Sequence, residues 1–70
     1  MIISDTQQFG LLLKERRKKL HYTQSYVSSV SGLSVSFISD VENGKATIEL
    51  GKALFLANLL GLDIIVEDRR

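Results

Sequence analysis

The side chains in this 70-residue sequence that could do chemistry are eight serines, His21, the carboxylates Asp40 and Glu42, and a cationic run over Lys14, Arg16, Arg17, Lys18 and Lys19. A nucleophilic triad needs an orienting acid and an oxyanion pocket, which so short a chain rarely builds, so serine–histidine catalysis is not expected. Asp40 and Glu42 are too close in sequence to share a helix face and make no acid–base couple. With no cysteine and a single histidine, no metal cluster, cofactor or enzymatic activity is expected. Hydrogen bonding and charge remain: hydroxyls that donate or accept, and cations that attract an anionic partner. The run 14–19, opposed only by Glu15, also reads as a solvated helix end whose cations offset the macrodipole.

These residues must be positioned by a chain that is 44% apolar and 24% charged, carries a formal net charge of +1 and contains no proline. That composition folds, and residues 1–70 are expected to form one small domain. At this size one core contributes only ~3–5 kcal/mol net, so packing against a second copy is a natural supplement. Met1-Ile2-Ile3-Ser4-Asp5 lacks the cationic start of a signal peptide, and no apolar run nears the ~20 residues of a membrane span. The expectation is a cytoplasmic protein with no membrane partner.

Ser4-Asp5-Thr6-Gln7 matches a capping box and predicts a first helix from about Asp5 to Leu20, with Phe9, Leu13 and Leu20 inward. Arg17 falls on that same stripe, so a guanidinium enters the core and needs a partner. Thr23 is expected to cap a second helix to about Ser31, with Val27 and Val30 inward and a tight turn at Gly32. Ser34 caps a third, ended by Asn43-Gly44, and Thr47 a fourth, terminated by Gly61. In the fourth, Leu50, Leu54, Ala57 and Leu60 share a face, while Phe55, Leu56 and Leu59 lie around the cylinder from it. Residues 62–67 read as a strand with Leu62, Ile64 and Val66 on one side. Met1 to Ile3 is the only other in-chain strand candidate, so pairing with a second molecule is expected. The interface so predicted comprises Phe55, Leu59, Leu62, Ile64, Ile65 and Val66.

Two short helices joined at Gly32 have the general form of a helix-turn-helix over about residues 23–43, which docks its second helix into a DNA major groove. Counting Gln24 as first, the motif wants a small residue fifth, glycine ninth, and apolar residues fourth, tenth, fifteenth and eighteenth. Val27, Ser28, Gly32, Leu33, Ile38 and Val41 answer. The segments Tyr22-Thr23-Gln24, Gly32-Leu33-Ser34, Phe37-Ile38-Ser39 and Glu42-Asn43-Gly44-Lys45 resemble the Cro and phage-repressor (Xre-type) helix-turn-helix family over about residues 9–62. Within it, Gly44-Lys45-Ala46-Thr47, Leu50-Gly51 and Leu60-Gly61-Leu62 are most similar to the HipB-like antitoxins.

The resemblance implies an all-α, lambda-repressor-like domain of four or five helices, with a short C-terminal β-strand pairing across a dimer. It also implies a structural ion pair between Arg17 and Glu42, and backbone-phosphate contacts by Gln24, Asn43 and Lys45. On the third helix Ser34, Val35, Ser36, Ser39 and Asp40 form the candidate reading face: a methyl contact from Val35, donors or acceptors from the serines, and an acceptor for cytosine N4 from Asp40. No side chain there makes a bidentate purine contact, so DNA shape is expected to supply part of the selectivity. The implied partners are a palindromic duplex operator, a second copy of the chain and a HipA-like toxin kinase. A protein-binding module that holds a kinase with little DNA binding, or a stand-alone phage-type repressor, are the alternatives.

Overall fold

The computed structural model describes residues 2–69; Met1, the first residue of the strand candidate Met1 to Ile3, lies outside the described residues. Helix α1 (Thr6–Lys19) starts at Asp5, whose carboxylate accepts the Gln8 N–H at 2.7 Å. The Gln8 side-chain oxygen accepts the Ser4 N–H at 2.8 Å in return. The cap thus falls one residue later than the expected Ser4–Gln7 box, with the return bond from Gln8 reaching Ser4 and not Asp5, because a carboxylate is the stronger acceptor at the positive end of a helix.

Helix α2 (Gln24–Ser31) is capped by Thr23 and ends at Gly32, whose left-handed φ of 78° reverses the chain in a backbone conformation that strains any residue with a side chain. Helix α3 (Val35–Glu42) is capped by the Ser34 hydroxyl, which accepts the Phe37 N–H at 2.9 Å. Helix α4 (Leu50–Leu59) starts at Glu49, which accepts the Lys52 N–H at 2.7 Å, and not at Thr47. Ile48 packs against the core and holds the residues before it in a turn, which delays the helix.

Leu13, Val27, Leu33, Ile38, Val41, Leu56, Ala57 and Leu60 form the buried core, with Phe9, Leu20, Phe37, Ile48 and Leu62 packed around it. Two inward assignments change. Val30 is 52% exposed, because the buried side of α2 runs through Gln24, Val27, Ser28 and Ser31, and Val30 rotates to its flank. Leu50 is 67% exposed, and the buried face of α4 is Ala53, Leu56, Ala57 and Leu60.

The expected strand over 62–67 is not formed: among the described residues there are four α-helices and no strand. Leu62 stays half-buried against the core, and beyond it Ile64, Ile65 and Val66 are exposed with no neighbouring segment to complete a ladder.

Helix α3 packs against both α1 and α2. Its approach to α1 depends on Gly10. A Cβ there would overlap the Val41 carbonyl oxygen and crowd that of Glu42, so the missing side chain lets α1 lie against the end of α3. Thr6 Oγ1 donates to the Gly44 carbonyl at 2.8 Å at the same contact. Arg16 Nε donates to the Leu60 carbonyl at 2.7 Å, tying α1 to the end of α4.

Helices α1, α3 and α4 close with the same pair of bonds. After α1, the His21 N–H reaches the Lys18 carbonyl and the Tyr22 N–H that of Arg17; Gly44 and Lys45, and Gly61 and Leu62, repeat the pattern. The left-handed position is glycine in two cases and His21, at φ 63°, in the other.

Two stability changes of opposite sign follow. Gly10→Ala, which would gain helix propensity at an open position, should instead destabilise the fold by about 1–3 kcal/mol in urea unfolding. His21→Gly relieves the left-handed strain and should stabilise it by about 0.5–1 kcal/mol, raising the thermal midpoint by a few degrees.

Candidate nucleic-acid interface

Ile38 and Val41 anchor α3 from its inner side, which turns Ser34, Val35, Ser36, Ser39 and Asp40 away from the centre of the core. Val35 is 41% exposed and Ser36 is exposed in the first turn; Ser39 and Asp40 are half-buried one turn later. Ser34 spends its oxygen on the cap but keeps a hydroxyl proton to donate. Asn43 Nδ2 donates to Ser39 Oγ at 3.3 Å, and Lys45 Nζ lies 3.5 Å from Asp40 Oδ2 with both side chains about half exposed.

Glu42 is the buried member of this helix end. A carboxylate in the last turn opposes the helix macrodipole, and burial adds to the cost. Both are offset by Arg17, which reaches Glu42 because Gly10, Leu13 and Arg17 share one buried stripe of α1. Arg17 Nε donates to Glu42 Oε2 at 2.6 Å and Nη2 to Oε1 at 3.0 Å, a bidentate pair with side chains only 10% and 3% exposed. Arg17 Nη1 donates to the Tyr22 carbonyl at 2.8 Å, so the same guanidinium braces the segment leading into α2. The hydrogen bond to Glu42 raises the Arg17 pKa above its ordinary value; burial opposes this and Coulomb attraction adds to it. Arg17 therefore keeps its proton at any pH where the fold is used.

Gln24, at the start of α2, is half-buried and donates from Nε2 to Glu42 Oε1 at 3.0 Å. One carboxylate thus accepts from α1 and α2 while sitting on α3. No buried side-chain nitrogen or oxygen among the described residues lacks a partner.

The geometry is two helices in a fixed relation, the second presenting hydroxyls and a valine methyl beside an amide, an ammonium and a helix start. A helix-turn-helix family model matches residues 13–66. The chain belongs to the helix-turn-helix family. The ImmF control region 10 kDa protein of Bacillus phage phi105 is 32% identical over 62 residues, covering 89% of this chain and 69% of that protein. The uncharacterized HTH-type transcriptional regulator y4mF of Sinorhizobium fredii is 33% identical over 70 residues, covering 97% of this chain and 92% of that protein. A chain of the solved HipB-O4 20mer complex superposes with a TM-score of 0.89, over 100% of this chain and 99% of that one, at 23% identity, which shows a shared fold. A DNA-binding transcriptional regulator is the function class these similarities support.

Sequence reading missed Gly10 and two bonds between elements, made by Arg16 and Gln24. Gly10 carried a signal, since glycine inside a helix is costly and marks close backbone approach. Arg16 at the end of α4 and Gln24 against Glu42 carried none, because each bond spans elements brought together only by the fold.

Arg17→Met should destabilise the protein by about 3–5 kcal/mol in urea or thermal unfolding, because Glu42 is left buried without its cation. Adding Glu42→Leu should return most of that loss; a double variant no more stable than Arg17→Met would contradict this account of the pair.

Proposed function

We propose that this protein is a cytoplasmic transcriptional repressor that acts as one small domain, binding a palindromic operator as a homodimer. Helix α3 lies in the major groove with Ser34, Val35, Ser36, Ser39 and Asp40 at base edges, and Gln24, Asn43 and Lys45 meet the backbone phosphates. The observation that carries this reading is the outward side of α3, polar and open in its first turn on a helix locked from behind by Ile38, Val41 and the buried Arg17–Glu42 pair. Half-site centres then lie one helical turn apart, ~34–36 Å, or a multiple of it.

The dimer reading rests on apolar surface left uncovered in the single chain. Phe55 and Leu59 are substantially exposed on α4, and Ile64, Ile65 and Val66 follow Leu62 into the C-terminal segment. That much apolar surface on so small a chain favours a partner. No described helix is long and apolar enough to cross a membrane.

Within this reading the chain is an autorepressing antitoxin of the HipB type, with a HipA-like kinase as its protein partner. The fold shared with HipB supports it. Selection of bound sequences from random DNA, with and without the product of the adjacent gene, tests both halves: enrichment of a palindrome supports the repressor, and a change on adding that product supports the antitoxin.

Phosphate contacts make affinity salt-dependent. Binding should fall on the order of 10- to 100-fold between roughly 50 and 200 mM salt. Lys45→Ala should reduce the logarithmic slope by about 2 per dimer, one contact per protomer. Gel shifts that do not change with salt would remove the electrostatic contribution.

A further inference from the structure

Asp40, Lys45, Ser39 and Asn43 are satisfied by one another within a single helix end, whereas Gln24 is held from a different element. Its amide donates to Glu42 Oε1 at 3.0 Å, the oxygen that also accepts Arg17 Nη2 at 3.0 Å. A carboxylate oxygen only accepts, so it must face the NH2 end of the amide, and this fixes which way the amide is turned. One Nε2 proton is committed to Glu42; the second is left for another acceptor. The anchor is rigid, since Glu42 is itself clamped by two bonds from Arg17 and is almost wholly buried.

We infer that Glu42 is a positioning residue for DNA binding: through the Gln24–Glu42 hydrogen bond it holds the Gln24 amide with its second N–H ready for a backbone phosphate. This rests on the DNA-binding reading above and adds a role to a residue that otherwise only stabilises the fold. The amide's orientation is set before binding, so little side-chain freedom is lost when the phosphate arrives. The same carboxylate belongs to α3, so the phosphate contact made from α2 is registered to the reading helix.

Because phosphate contacts are independent of sequence, the test uses a mixed-sequence duplex of about 20 bp at low salt, without knowledge of the operator. Full-length wild type, Gln24→Met, Glu42→Gln and the double variant are compared, each corrected for its folded fraction by circular dichroism. A glutamine at 42 offers one acceptor oxygen where the carboxylate offers two, and Arg17 competes for it. Each single change is expected to weaken binding roughly tenfold, and the double variant to bind within about twofold of the weaker single. If the two losses multiply to roughly a hundredfold, Glu42 acts independently of Gln24 and the inference fails.

A wild-type chain with no salt-sensitive affinity for duplex DNA would instead defeat the DNA-binding reading itself. The wild type also supplies a measurement that does not depend on how well any variant folds. In the 15N-labelled protein, one Gln24 side-chain amide proton should be shifted and protected from exchange, and its geminal partner should move when duplex is added. Two protons exchanging like those of a free glutamine, or neither moving with DNA, overturns the proposal.

Discussion

A guanidinium and a carboxylate, both withdrawn from water, set the geometry of this protein. Arg17 meets Glu42 with two charge-assisted hydrogen bonds across the contact between α1 and α3. Burying either charge alone would be costly, so any arrangement that separates them is disfavoured more strongly than a lost apolar contact would be. Apolar packing can tolerate small shifts of one helix along another. A bidentate pair tolerates fewer, because both of its bonds must be kept. The pair therefore contributes register as much as stability, and it is made possible by Gly10, which brings the two helix backbones close enough for the side chains to meet.

The surface of α3 inherits that register. Its inner residues are fixed by the core and its end by Glu42, so the exposed hydroxyls and the Val35 methyl stand on a helix with little freedom to rotate. The charged and polar residues around its C-terminal end are already paired: Lys45 with Asp40, Asn43 with Ser39, and Gln24 with Glu42. The first two pairs are exposed and inexpensive to break, since surface ion pairs are worth about 0–1 kcal/mol. They can be exchanged for contacts to a nucleic acid at small cost. The third is partly buried and behaves as part of the scaffold.

Much of the helical architecture is legible in the sequence. The caps at Thr23 and Ser34, the turn at Gly32 and the terminator at Gly61 each follow from local chemistry, and the corresponding helix ends fall there. Arg17 stands out because a charge falls in an apolar stripe. What is less legible is rotation and pairing. Val30 and Leu50 are apolar at helical spacing yet exposed, because the neighbours that define each inner face come from other elements. The first cap shifts because Asp5 supplies a stronger acceptor than Ser4, and the fourth because Ile48 packs against the core and keeps the residues before it in a turn, which leaves Glu49 to cap the helix. Residues 62–67 alternate like a strand, but alternation records only which side would be buried; a ladder needs a second segment, and none lies beside it among the described residues. Gln24 is readable as a helix start, and its bond to a residue eighteen positions away depends on the fold.

The most direct test of the central claim, that a core ion pair holds α3 with its outer side toward DNA, is a map of backbone amide chemical shifts as a duplex carrying the selected operator is added to the 15N-labelled chain. The account predicts that the largest changes fall on residues 34–45 and at the start of α2 around Gln24, while Tyr26 and Val30 on the far side of α2 stay still. Changes confined to the cationic end of α1 or to Phe55 and Leu59 on α4, with α3 unmoved, would contradict it.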